Sequence, residues 1–184
     1  MFMEKHNIDV RNFDLIFVDT ELTGLDLKHE IVEIGFLKVE KGTYKVLAEK
    51  CIKIKPTRLA DANPESLAIS GYNEKDWADA VDLKTGLSDF LSYTDNCMLV
   101  GQNIGVDMMH IKNGLEQCGL KPNYFYKGID TFTLAWNKLI ENTEIKRFSL
   151  SELAPHFGVN AGTQHRALDD ARTTYGVFLK LIGR

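Results

Sequence analysis

At 184 residues, with 44% hydrophobic and 26% charged residues, the chain is long enough to bury a core as one domain without covalent staples. No apolar run reaches the length of a membrane span, and Cys51, Cys97 and Cys118 are too few and too scattered for a zinc site or an even set of disulfides. The formal net charge of −4 argues against tight, non-specific duplex binding, but not against a phosphate substrate bridged by divalent cations, which bring positive charge of their own.

Charges scattered through residues 1–10 leave no continuous apolar stretch for a secretory signal, so a reducing, cytoplasmic setting without membrane contact is expected. Residues 13–19 (FDLIFVD) are short, apolar and rich in β-branched and aromatic types, which predicts a buried strand broken from Thr20, with Gly24 in the turn. Residues 31–40 and 44–55 read as two further strands joined by a hairpin at residues 40–42. Beyond residue 55 the chain turns mainly helical. Asn63-Pro64 marks a turn or helix start, and Asn73 can cap a helix over residues 74–93, with a possible break at Gly86. A short strand at 98–100 precedes a helix over 104–118, closed by Gly119. Residues 124–129 lead into another strand, and 131–141 form a helix. Ser149 opens a helix with Glu152 three residues on, a capping box, and the last helix runs to residue 182. A three-stranded meander followed by strands alternating with helices predicts an α/β sandwich with a mixed sheet.

Chemistry enters at the end of the first strand. Asp19 and Glu21 are two apart, so in an extended chain both carboxylates point to one side, where they repel unless a cation lies between them. The same spacing is also an ordinary polar strand edge. Asp107 shares its helix face with Ile104, Met108, Ile111 and Leu115, and an inward carboxylate must be paired, hydrogen-bonded or metal-bound. Capping of a nearby amide fits that position equally well. On the last helix, positions 167, 170, 171, 174, 177, 178 and 181 form a core face and 166, 169, 173, 176 and 180 a solvent face, so Asp170 points inward and Asp169 outward. His165 is best placed just before that helix, on a loop carrying Gly162 and Thr163.

Residues 17–25 (FVDTELTGL), 101–107 (GQNIGVD) and 165–171 (HRALDDA) resemble the three exonuclease motifs of the DEDD superfamily. The histidine five before the final aspartate is similar to the DEDDh branch, which holds polymerase proofreading subunits, ribonuclease T and oligoribonuclease. The resemblance spans nearly the whole chain and includes residues 31–35 (IVEIG), 129–131 (IDT) and 149–153 (SLSEL). It implies a single exonuclease domain over residues 1–184 with a ribonuclease-H-like fold, a five-stranded mixed sheet flanked by helices. It further implies Asp19, Glu21, Asp107 and Asp170 as ligands to two Mg²⁺ or Mn²⁺ ions and His165 as general base. Thr20, Leu22, Thr23 and Asn103 become candidate substrate-binding positions. The implied reaction is 3′→5′ hydrolysis of single-stranded DNA or RNA ends to nucleoside 5′-monophosphates, with a polymerase as a candidate partner. Two departures concern the pocket: Gln102 stands where many relatives have His, and Gly105-Val106 where Phe often precedes the aspartate.

Other residues read as structural. Glu33 is either a supporting partner of the acids or a satisfied buried carboxylate. His110 and His156 read as surface histidines, Trp77 and Trp136 as packing residues rather than base-stacking platforms, and Lys146-Arg147-Phe148, which could grip phosphate ahead of a helix, as holding a solvated charge pair. The Tyr124-Phe125-Tyr126 run suits core packing or base stacking. Two other readings stay open: a non-catalytic nucleic-acid-binding or polymerase-associated module, and a phosphodiesterase for very short oligonucleotides. The first is disfavoured by the intact set of four acids and a histidine. The second is disfavoured by the four-residue step from Asn103 to Asp107.

Overall fold

The computed structural model describes residues 8–163 and 165–184, so the reading of the chain start lies outside it as far as residue 7. Strand β1 (Asp14–Leu22) is central. Ile16, Val18 and Leu22 enter one apolar core, and Leu15 and Phe17 enter another on the opposite face. A strand covered on both sides needs the unbroken apolar run that this segment has. It does not stop at Asp19. It continues three residues because β2 (Ile31–Val39) keeps pairing with it, Asp19 opposite Gly35 and Glu21 opposite Glu33, before a register shift between Glu21 and Leu22. Strand β3 (Val46–Lys53) adds antiparallel to β2, while β4 (Cys97–Gly101) and β5 (Ile129–Asp130) add in parallel on the other side. The order β3-β2-β1-β4-β5 is the expected five-stranded mixed sheet.

Helix α1 (Pro64–Ser70) is capped by Asn63, whose side chain accepts the Glu65 and Ser66 N–H groups. The long helix expected from residue 74 begins only at α2 (Leu83–Thr94), and its cap is Asp82 rather than Asn73. The intervening segment is used for packing: Trp77 is buried with its indole N–H donating to Val32 O at 2.8 Å, and Val81 bridges to Ile54. Gly86 is no break. It lies within α2, where a Cβ would meet Ile54 at 2.8 Å, so its absence lets the helix approach the sheet.

Helices α2 and α3 (Gly105–Gln117) cover the Ile16 face. On the Phe17 face lies α6 (Ala167–Leu181), with α4 (Thr131–Leu139) and α5 (Leu150–His156) packed behind it around Phe148, Leu153 and Val177. The expected capping box of α5 is rearranged. Glu152 accepts the Arg147 N–H at 2.7 Å, and the Ser149 hydroxyl lies 2.8 Å from that of Ser151. At Gly35 a Cβ would collide with the backbone of Ala167 and Leu168, so the missing side chain seats the start of α6 beside Asp19. No helix among the described residues is long and apolar enough to cross a membrane.

Candidate active site

Strand β4 accompanies β1 only as far as the Phe17–Val100 pair, so β1 overruns its parallel neighbour. Crevices at the carboxyl ends of parallel strands are where sheets of this kind present ligands. Thr20 pairs with Ile34 of β2 on one side, but among the described residues β4 does not reach it on the other. Asp107, from the first turn of α3, takes that place: its Oδ1 accepts the Thr20 N–H at 2.9 Å and the Thr20 hydroxyl at 2.7 Å. The inward phase read for Asp107 is thus realised across elements, on β1, rather than as a cap of its own helix.

Asp19 and Glu21 share the face of Phe17, the face that α6 covers. Asp170 arrives there from the first turn of α6, and its Oδ2 accepts the His165 N–H at 2.9 Å. His165 itself has φ 61°, the left-handed region that few residues other than Gly adopt. That turn lets the chain enter α6 while the exposed imidazole stays at the acids. One ligand atom each from Glu21, His165 and Asp170 lies within 4.8 Å of the others. Asp19, Asp170 and His165 also line one open cavity of about 540 Å³, with Asn103, Phe132 and Arg147 on its walls.

The electrostatics follow from crowding. Burial first, then the charges of Asp107, Asp170, Glu21 and Glu33, hold Asp19 well above the usual carboxylate range. Burial and the Asp170 and Glu33 charges push Glu21 up to about 7, with Arg166 opposing. Asp107 is likewise pushed to about 7 by burial, against the two Thr20 hydrogen bonds that favour its ionised form. Asp170 is raised by burial too, with the His165 N–H and imidazole pulling the other way. Among the described residues none of the four acids forms a salt bridge; the nearest such pair is Arg166 with Glu33, at 3.4 Å. Clustered oxygen donors that repel one another without a lysine or arginine partner among the described residues fit a hard divalent metal ion.

The other candidate positions divide. Asn103 is exposed on the cavity wall in the left-handed region (φ 59°), its N–H donating to Asp130 Oδ1 at 3.0 Å. Thr20 is engaged by Asp107. Leu22 packs in the core, and the buried Thr23 hydroxyl accepts the Glu30 N–H at 2.9 Å. His110, read as a surface residue, is buried, with Nε2 3.2 Å from Leu25 O. Trp136, read as packing, is half exposed on α4. The strut formed by Gln102 was not foreseen. Its Nε2 donates to Phe148 O at 2.8 Å and its Oε1 accepts the Thr131 hydroxyl at 2.6 Å, tying β4 to α4 and to the segment before α5. No local pattern in the sequence signals those pairings.

With this geometry in place, the sequence model of the RNase_T family, described as Exonuclease, matches residues 16–178. The chain is 31% identical over 173 residues to DNA polymerase III PolC-type of Thermotoga petrophila, covering 93% of this chain and 12% of that protein. It is 26% identical over 178 residues to the Staphylococcus aureus PolC-type polymerase, covering 96% and 12%. The chain thus spans about an eighth of the length of these curated relatives. Among solved structures, E. coli Exonuclease I in complex with a dT13 oligonucleotide superposes with a TM-score of 0.75 at 15% identity, covering 91% of this chain and 41% of that one. The nuclease domain of 3′hExo, a DEDDh family member bound to rAMP, gives a TM-score of 0.74 at 15% identity, covering 95% and 94%. Both likenesses are of fold.

Proposed function

Because the chain belongs to the RNase_T family of exonucleases and carries the DEDDh set of residues, we propose that it removes nucleotides from the 3′ end of single-stranded DNA or RNA by a two-metal mechanism, releasing nucleoside 5′-monophosphates. The observation that supports this most is the approach of Glu21, His165 and Asp170 to within 4.8 Å of one another, with Asp19, Asp170 and the exposed imidazole lining one open cavity and Asp107 braced on the adjoining strand edge. Asp19, Glu21, Asp107 and Asp170 would hold two Mg²⁺ or Mn²⁺ ions. When bound, the ions would offset the charge of the scissile phosphate and lower the pKa of the attacking water.

The residues of the chain do the rest. His165 takes the proton of that water on a ring nitrogen while its main-chain N–H stays fixed to Asp170. The Asp170 carboxylate thereby positions the base and would also help to hold a metal ion. Asn103 and Arg147, on the cavity wall, face the incoming strand. Hydrolysis breaks the bond between phosphorus and the 3′ oxygen of the preceding nucleotide, and water supplies the oxygen that stays on the released 5′-monophosphate. Kinship with PolC-type polymerases supports a polymerase as partner. Incubation with magnesium of 3′-labelled and 5′-labelled DNA and RNA of several lengths tests the reading: release of the 3′ label as mononucleotide, with progressive shortening of the 5′-labelled strand, is expected. Internal cuts, or no shortening of either polymer, would overturn it.

A further inference from the structure

Helix α4 has two apolar faces. One, with Ala135 and Leu139, enters the core. The other turns outward: Phe132 and Trp136, with Ile140 at the C-cap, recur every fourth residue and are 39%, 50% and 50% exposed. Large apolar side chains aligned on a surface mark contact sites more often than single exposed ones do. The first two rings are stacked, with centroids 6.4 Å apart and planes 24° from parallel. Beneath them the buried Phe148 contacts both, at 6.1 Å and 5.5 Å. Phe148 is held in turn: its backbone lies in the left-handed region (φ 54°), and its carbonyl accepts the Gln102 amide. The aromatic surface is therefore rigid, and the same strut that fixes it ends beside Asn103.

Its position says what it meets. Phe132 lines the cavity that holds Asp19, His165 and Asp170, so the surface begins at the acids. Trp136, one turn of α4 away, carries it outward by about 5 Å. Arg147 stands on the same wall, its side chain 79% exposed and its Nε 3.7 Å from Glu152 Oε1, and Ser149 and Ser151 line the same cavity. A flat aromatic step flanked by an exposed guanidinium, which meets Glu152 through Nε, and by serine hydroxyls fits a base and the phosphate next to it. We propose that Phe132 and Trp136, with Arg147, form a stacking subsite for nucleobases of the single strand upstream of its 3′-terminal nucleotide. The inference rests on the exonuclease reading and adds to it how the enzyme grips strands longer than a dinucleotide.

Stacking of this kind is sequence-tolerant, since every base has a π-face, and its loss weakens binding of each base that it holds. The test is the length dependence of KM, measured with magnesium on oligothymidylates and oligouridylates of two to ten nucleotides. In the wild-type chain KM falls as length grows. In Trp136→Ala and Phe132→Ala the ratio of KM between dinucleotide and decamer drops about fivefold or more, with little change in the kcat ratio. Trp136→Phe restores most of the ratio, because it keeps a ring. Arg147→Ala lowers it as well, and added salt narrows the gap between that variant and the wild type. An unchanged ratio in the two alanine variants overturns the subsite. So does a loss of equal size at every length, which marks a structural role, and so does a change seen only when a partner protein is present, which marks a docking face for protein. Failure of the exonuclease reading looks different, since the wild-type chain then shortens no oligomer at all.

Discussion

The buried carboxylate of Glu33 on β2 accepts the Ala167 N–H at 3.1 Å, so the first residue of α6 is tied to the strand position directly opposite Glu21. Among the described residues its second oxygen accepts no hydrogen bond and lies 3.4 Å from the Arg166 guanidinium. Arg166 lies in turn against the Trp77 ring, 5.5 Å from its centroid. His165 lies just before α6 and Asp170 in its first turn, so this tie sets where the proposed base and the proposed metal ligand stand. Glu33→Ala and Glu33→Gln both remove the charge, but only Gln keeps an acceptor for Ala167. The alanine variant is expected to be less stable than the glutamine variant by about 1–3 kcal/mol, the cost of leaving a buried donor unpaired. Urea unfolding in chelator measures the difference, and equal midpoints would show that the tie does not hold the helix.

The fold and the chemistry of the site were legible to different depths. Periodicity gave the inward phase of Asp107 and Asp170, because a helix face is a local property of the chain. The full length of β1 was not readable, since Thr20 and Glu21 stay extended through pairing with β2 and through Asp107, neither of which lies nearby in sequence. The same limit explains the misplaced start of α2. Residues 74–80 have helical composition but are held by Trp77 reaching Val32, 45 residues away. It also hid the outward turn of Trp136, which shares an amphipathic pattern with side chains that do enter the core.

Crowded acids make the metal-free protein sensitive to pH. Glu21 and Asp107 are pushed to about 7 in the folded chain, and Asp19 and Asp170 are raised as well. A carboxyl group with a raised folded pKa contributes stability below its unfolded pKa, near 4, and loses it as pH rises through the folded value. Stability in chelator is therefore expected to fall between about pH 4.5 and pH 7.5. His110, whose pKa burial lowers, acts in the opposite sense in the same window. Comparison with Asp107→Asn removes that common contribution: the variant should show a shallower fall and a higher melting temperature at pH 7.5. A slope equal to that of the wild type would mean that Asp107 is not held neutral.

Asp169 and Asp170 are adjacent but differently employed. Asp170 faces the cavity, whereas Asp169 accepts the Thr163 N–H at 3.0 Å and pairs with Arg172 at 2.9 Å. Asp169 is thus not on a plain solvent face, as phase alone suggested, but braces the loop before His165. Asp170→Asn is expected to abolish hydrolysis. Asp169→Asn should keep most activity and lose about 1 kcal/mol or less, as partly exposed pairs do. An inactive Asp169→Asn with a fully active Asp170→Asn would invert the assignment.

Removal of divalent metal should stop hydrolysis, with magnesium or manganese restoring it. Calcium should bind and stabilise without comparable turnover, because its longer, more variable coordination does not set the reacting oxygens as closely. Melting temperature at pH 7.5 should rise with each of the three cations, since each offsets the repulsion among the acids. Full activity in excess chelator would exclude the two-metal reading.

The role of His165 is the sharpest question, because its ring nitrogen stands within 4.8 Å of carboxylate oxygens of Glu21 and Asp170, close enough to be a ligand as well as a base. A base accepts a proton only in the chemical step, whereas a ligand contributes to metal affinity before it. His165→Ala should therefore spare metal binding and slow single-turnover hydrolysis by about 10²–10⁴-fold at saturating metal. The fixed main-chain N–H survives in the alanine variant, so Asp170 keeps its partner and the loss reports the imidazole alone. An acidic limb in the wild-type rate needs the same care. Protonation of Glu21 and Asp107 near pH 7 would also depress activity by weakening metal binding. Raising the metal concentration moves that part of the limb to lower pH and leaves protonation of the base in place. A limb that persists at saturating metal in the wild type, and is absent from the residual rate of His165→Ala, identifies the imidazole as the base. Weakened metal binding in the variant, with an unchanged rate once metal is saturating, would make His165 a ligand instead.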